Sequence, residues 1–251
     1  MFGLLKRRKK NAIEARSVPA GTRVYAIGDI HGCRDEFDRL LELIVADSRD
    51  FGGNLRLVLL GDLVDRGPDS AGVVARALDL ASVTAQCTVL KGNHEEAMLA
   101  SLDGTVDPRG WLSYGGSQTL ESYGIARAEQ FSAKFDLARR MAEAIPSEHI
   151  AFLRGLPDHV VIGDYLFVHA GIRPGVPLKQ QVAADLRWIR GGFLDSDVDH
   201  SCIVVHGHTI SAEPDARANR IGIDTGCYAG GPLTALVLEG SDRRFLQTTP
   251  A

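Results

Sequence analysis

Five short apolar runs in this chain end in the same way, on a turn that carries acidic, amide or imidazole side chains beside glycine. They read Gly28-Asp29-Ile30-His31-Gly32, Gly61-Asp62-Leu63-Val64-Asp65-Arg66-Gly67, Gly92-Asn93-His94-Glu95, Val168-His169-Ala170-Gly171 and His206-Gly207-His208-Thr209. The runs before them, at 24–29, 55–62, 87–94, 165–171 and 202–209, read as buried strands; further strands are expected at 159–163, 220–226 and 233–240. Between the early strands, Glu36 to Ala46 sets Phe37, Leu40, Leu41 and Ile44 at the spacing of one helix face. Ser70 can cap a second helix through Val73, Val74, Ala77 and Leu78. Strand–helix alternation followed by strand pairs predicts an α/β sandwich of two mixed sheets flanked by helices. In open α/β sheets the carboxyl ends of strands open onto one crevice. The five turns therefore converge, and their glycines allow sharp turns and close backbone approach.

That convergence gathers Asp29, His31, Asp62, Asn93, His169 and His208. Carboxylates, imidazoles and an amide oxygen suit divalent ions such as Mn²⁺, Fe²⁺ or Zn²⁺. Six ligands exceed one tetrahedral site. With Asp62 bridging, they fit two ions roughly 3.5–4 Å apart, an arrangement that activates water for attack on phosphorus. His149, His159 and His200 lie outside the pattern and receive no role. His206 shares a strand face with His208 and is expected to pack behind it.

Composition narrows the alternatives. The chain has 251 residues, 45% hydrophobic and 24% charged, with a formal net charge of −4. Lys6, Arg7, Arg8, Lys9 and Lys10 concentrate five positive charges; outside that run 23 basic residues face 32 acidic ones. An acidic body lacks the basic face of a nucleic-acid binder. No apolar run approaches the roughly 18 residues that span a bilayer. Residues 1–20 read as a solvated basic tail in preference to a lipid anchor, and 21–251 as one domain with a Gly-rich, helical insertion at about 103–145. The four cysteines form no C-x-x-C pair and no secretory signal is visible, so a cytoplasmic protein with reduced thiols is expected. Cys33 and Arg39 stand at Cys-x₅-Arg, but the intervening Asp35, Glu36 and Asp38 would repel phosphate, so a thiol phosphatase is not expected.

Taken together, GDIHG, GDLVDRG, GNHE and GHT resemble the calcineurin-like metallophosphoesterases over about residues 23–240. The nearest likeness within them is to serine/threonine phosphoprotein phosphatases of bacterial and bacteriophage-lambda type. The resemblance implies Asp29 and His31 on a first metal, Asp62 bridging, and Asn93, His169 and His208 on a second. Manganese is the expected ion, with iron, zinc or cobalt fitting the same set. His94 is implied as general acid, oriented by Asp65. Arg66 and Arg190 are implied to hold phosphate together with Asn93, with Arg187 a rival for Arg190. The expected activity is hydrolysis of phosphoserine, phosphothreonine or phosphotyrosine in a protein or peptide. Symmetrical dinucleoside tetraphosphatases resemble the chain at GDLV-x-RGPDS, but typically carry Ala at Asp65 and Asp at Glu95. On those two residues they rank second. A non-catalytic scaffold ranks third, because Asp62, Arg66 and His94 are all present.

Overall fold

The strand that opens the body alternates its faces, as the two-residue period of a strand requires. In β1 (Thr22–Ile27), Val24 and Ala26 enter a layer between two sheets, while Tyr25 and Ile27 face helices. The computed structural model describes residues 16–131 and 136–249. β1 pairs in parallel with β2 (Asn54–Leu59), which pairs in parallel with β3 (Cys87–Val89). The order of this sheet is β10-β9-β1-β2-β3, in which β9 (Thr234–Glu239) and β10 (Asp242–Gln247) are antiparallel additions. The second sheet is ordered β4-β5-β6-β8-β7. Its parallel centre is β5 (Tyr165–Val168), β6 (Ile203–His206) and β8 (Arg220–Gly222). β4 (His159–Ile162) and β7 (Asp215–Ala216) flank it antiparallel.

Between the sheets, Val58, Leu60 and Leu236 meet Tyr165, Phe167 and Val205. The outer face of the first sheet is covered by Phe37 and Leu40 of α1 (Arg34–Ser48) and by Val73 and Val74 of α2 (Ser70–Val83). Leu186 and Phe193 cover the outer face of the second, against Leu166 and Val204. The fold is thus the expected α/β sandwich of two mixed sheets flanked by helices. α3 (Asn93–Leu102) begins directly after β3. The described residues of 103–145 include short helices, among them Pro108–Trp111, Ser117–Ser122 and Leu137–Ala144, which bury Trp111, Leu120 and Met141 in the same core as α1 and α2.

Three local features differ from expectation. β10 is an edge strand whose Arg243 and Arg244 break the apolar pattern that marks the other strands, and charged side chains are what an unpaired edge favours. β7 has two residues, too few for a periodic signal. The body also begins before Gly21: Val18 is buried among the inter-sheet residues and its N–H donates to the Gly240 carbonyl at 3.0 Å. The basic run Lys6 to Lys10 lies outside the described residues.

Gly28, directly after β1, lies against the segment that leaves β8. A Cβ there would stand 2.3 Å from the Ile223 carbonyl oxygen, on the segment leaving β8. Gly28→Ala must push backbone from backbone, an overpacking that costs about 1–3 kcal/mol. Thermal unfolding should show Tm lowered by several degrees; an unchanged Tm would mean that the sheets separate freely at this point.

Candidate active site

The turns after β1, β2, β3, β5 and β6 do converge. Asp29, His31, Asp62, Asp65, Asn93, His94, His169 and His208 are all buried within one cluster. Its backbone is unusual: of six non-glycine residues with positive φ among those described, five are His31, Asp62, Asp65, Arg66 and His208. Such conformations cost of order 1–3 kcal/mol each and persist only where the surroundings impose them. Here a principal constraint is Glu95. Its buried carboxylate accepts the N–H groups of Asp62 at 2.9 Å, Leu63 at 2.7 Å and Gly92 at 2.8 Å, tying the turn after β2 to the start of α3. Gly92 must be glycine, because a Cβ would fall 2.1 Å from Asp62 Oδ1.

Two groups of ligating atoms share one residue. Asp62 lies with His31 and His94 on one side and with His169 and His208 on the other, the atoms of each group within 4.8 Å of one another. His31 Nδ1–H donates to the Val64 carbonyl at 2.8 Å and His169 Nδ1–H to the Leu60 carbonyl at 2.9 Å. Each ring therefore turns an Nε2 lone pair toward Asp62, at 3.4 Å from a carboxylate oxygen. Burial lowers the pKa of His31 to about 3 and that of His208 to about 3, and also lowers that of His169, so these imidazoles are neutral. Asn93 Oδ1 stands 2.8 Å from both His169 Nε2 and His208 Nδ1. Asp29 Oδ2 accepts the His208 N–H at 2.9 Å, while its Oδ1 is buried without a partner. Around Asn93, His169 and His208 lone pairs face lone pairs, which in a buried site repel unless a cation stands between them. The donor set thus fits divalent metal on that side of Asp62, and on the His31 side a metal would take the nitrogen lone pair that Arg66 now occupies.

His94 differs from the other rings. Its Nδ1–H donates to Asp65 Oδ2 at 2.6 Å, and although burial opposes it, the Asp62 and Asp65 carboxylates raise its pKa. Asp65 is held in turn by Trp111 Nε1–H at 2.8 Å and by the Thr119 hydroxyl at 2.6 Å. Both donors come from the insertion, where no motif marked them. The Arg66 guanidinium packs over the Tyr228 ring at 4.5 Å and donates to His31 Nε2 at 3.1 Å and His94 Nε2 at 3.0 Å. Arg190 donates to Thr209 Oγ1 at 3.0 Å. Arg66 and the buried Asn93, His94 and His208 line one part of a cleft of about 640 Å³, which the exposed Arg190, Trp188 and Tyr114 also line.

Other sequence candidates point elsewhere. Arg187 is engaged by Asp158 at 2.7 Å and Glu96 at 3.1 Å, which leaves Arg190 facing the cleft. His206 packs edge-on against Phe193 at 5.2 Å and lies near Arg220, 3.3 Å from its Nη1; burial lowers its pKa to about 4. Cys33 is buried, whereas Arg39 pairs with Glu36 on the exposed side of α1, so the Cys-x₅-Arg spacing makes no phosphate cradle.

With this geometry in view, the comparisons with known proteins are direct. The calcineurin-like phosphoesterase family matches residues 22–235, and the chain belongs to it. That family uses a dinuclear divalent metal centre, for which this chain carries candidate ligands. A symmetrical bis(5'-nucleosyl)-tetraphosphatase from Acidovorax sp. is 36% identical over 161 residues, 64% of this chain; the chain spans about half, 48%, of that relative. The same name recurs on relatives aligned over up to 90% of the chain. Serine/threonine-protein phosphatase 1 of Salmonella typhimurium is 32% identical over 221 residues, 84% of this chain and 89% of that protein. A crystal structure provisionally assigned to a diadenosine tetraphosphatase superposes with a TM-score of 0.65 at 23% identity, covering 94% of this chain and 100% of its own, and so shares the fold.

These relatives overturn the expectation of a protein phosphatase acting on phosphorylated proteins or peptides. The dinucleoside tetraphosphatase name dominates among them. The structure supplies the physical reason for the error. The two residues used to separate the classes, Asp65 and Glu95, are both fully buried. One orients an imidazole and the other binds backbone N–H groups. Neither reaches the cleft, so neither reads what is attached to the phosphate.

Two outcomes follow from this geometry. Glu95→Ala strands at least three buried N–H groups, each worth about 1–3 kcal/mol. Denaturant unfolding should show a loss of about 3 kcal/mol or more, and native stability would refute the clamp. Asp62→Asn replaces a shared anion by a neutral amide, so metal analysis should show both ions weakened; retention of two tight ions would remove Asp62 as the bridge.

Proposed function

We propose that this protein hydrolyses the phosphoanhydride chain of a symmetrical dinucleoside tetraphosphate, releasing two nucleoside diphosphates. The observation that carries the reading is the cleft. Its volume of about 640 Å³ falls in the range of small-molecule sites, and aromatic residues line it together with Arg66 and Arg190. The recurring name of the relatives agrees with it.

In this reading Asp29 and His31 hold one ion, Asn93, His169 and His208 hold the other, and Asp62 is shared. Manganese suits this mixture of carboxylate, amide and imidazole donors. When bound, such a pair polarises phosphoryl oxygens and makes water a strong nucleophile near neutral pH. Arg66 and Arg190 supply forked, charge-assisted hydrogen bonds to the phosphate oxygens. They orient the chain so that one phosphorus faces the buried carboxylates and the departing oxygen faces His94. With Arg66 drawn from His94 Nε2 to the phosphate, that nitrogen is free to carry a proton, and His94, steadied by Asp65, delivers it to that oxygen as the P–O bond breaks.

The test is product analysis with Mn²⁺-reconstituted protein and diadenosine tetraphosphate. ADP should be the sole nucleotide product, and a chelator should abolish its release. Dephosphorylation of phosphopeptides with no nucleotide released would sink the proposal. His94→Asn gives a second check. It should slow an alkyl phosphate monoester by about 10²–10⁴-fold, because an alkoxide needs the proton. The anhydride should suffer much less, since a departing nucleoside diphosphate is a weak base. Equal losses on both substrates, or loss of a metal ion, would assign His94 another role.

A further inference from the structure

The cleft holds aromatic surface that the chemistry at phosphorus does not use. Trp188 is 48% exposed although its ring lies edge-on to the buried His208 ring, at 6.4 Å between centroids. Tyr114, from the insertion, is 71% exposed on the same cleft. A large exposed indole normally moves among rotamers. This one is fixed: its Nε1–H donates to Glu96 Oε2 at 2.6 Å. Glu96 is pinned by Arg187 at 3.1 Å, and Arg187 by Asp158 at 2.7 Å. Arg187, which sequence alone left as a rival phosphate ligand, thus serves to hold the ring. Tyr114 is tied to the phosphate end as well, because its neighbour Gly115 accepts the Arg66 N–H at 3.1 Å and has φ of 111°. A Cβ on Gly115 would lie 2.6 Å from the Arg66 nitrogen.

We infer that Trp188 and Tyr114 form a nucleobase-binding site adjoining the phosphate site, with Trp188 the stacking platform. The inference rests on the dinucleoside polyphosphate reading and identifies where one nucleoside end sits. The juxtaposition is specific: fixed π-surface stands beside two arginines, as a ligand with a planar base and a polyphosphate chain requires. Preordering the indole through Glu96 removes much of the entropy cost of stacking. Base–aromatic stacking is worth about 1–3 kcal/mol per base, or about 5- to 150-fold in affinity.

The experiment measures inhibition of p-nitrophenyl phosphate hydrolysis in excess Mn²⁺ by diadenosine tetraphosphate and by inorganic tripolyphosphate, which has no base. In the wild type the dinucleotide should inhibit about tenfold more tightly. Trp188→Leu should erase that advantage while leaving tripolyphosphate inhibition nearly unchanged, and Trp188→Phe should restore most of it. The second readout needs no folded leucine variant. The chain has two tryptophans, and Trp111 is buried, so the dinucleotide should quench the fluorescence of Trp188 and tripolyphosphate should not. Equal inhibition by the two ligands in the wild type, or equal shifts for both in Trp188→Leu, would overturn the base site. Base-dependent binding without ADP release would instead uphold the site and overturn the hydrolytic reading.

Discussion

The fold brings three buried aspartates to one point. Asp29, Asp62 and Asp224 are all buried near the same strand ends. Burial is the largest cause raising the pKa of Asp29, with Asp224 and Asp62 adding to it; burial likewise raises that of Asp224 to about 6. Asp62 goes the other way: burial opposes ionisation, but His169, His94 and His31 around it hold its pKa below the ordinary carboxylate range. Isolated buried carboxylates would shed their charge by binding protons. A site built instead from neutral imidazoles with fixed tautomers keeps lone pairs available. Divalent cations are the natural counter-charge for such a set, and the positive-φ backbone is the conformational cost of assembling it.

Holding that set together is the task of groups that never meet substrate. Glu95 fastens the turn after β2 to α3, so that Asp62 and Asn93 keep their relation. Asp65 is fastened by Trp111 and Thr119, so that His94 keeps its tautomer. The insertion therefore helps to fix the Asp65–His94 pair as well as lining the cleft. Its helices bury Trp111 in the main core and so couple packing directly to the orientation of the His94 ring.

The sequence made the fold and the ligand cluster legible because both depend on local order. Apolar runs with a period of two mark strands. A glycine with an acid or imidazole at the end of such a run marks a strand end on the crevice. What was illegible depends on contacts across long stretches of chain. Trp111 and Thr119 meet Asp65 over 46 and 54 residues, from a segment whose glycines hide any helical period. The left-handed conformations of His31, Asp62, Asp65, Arg66 and His208 break local preference and are imposed by the neighbours. β10 was missed because an edge strand may carry arginines where a central one cannot.

The error over substrate class has the same origin. The motif residues make the chemistry at phosphorus, and that chemistry is common to monoesters and anhydrides. Asp65 and Glu95 differ between the classes by motif, yet both act beneath the surface on backbone and imidazole. What can tell a peptide from a nucleotide must touch the group beyond the phosphate. On the inference drawn above those positions are Trp188, outside the motif segments, and Tyr114, within the insertion; both are exposed in the cleft, at the margin of a site whose centre is buried. Selection for a leaving group can therefore change at the rim while Asp62, His94 and the candidate ligands around them stay in place.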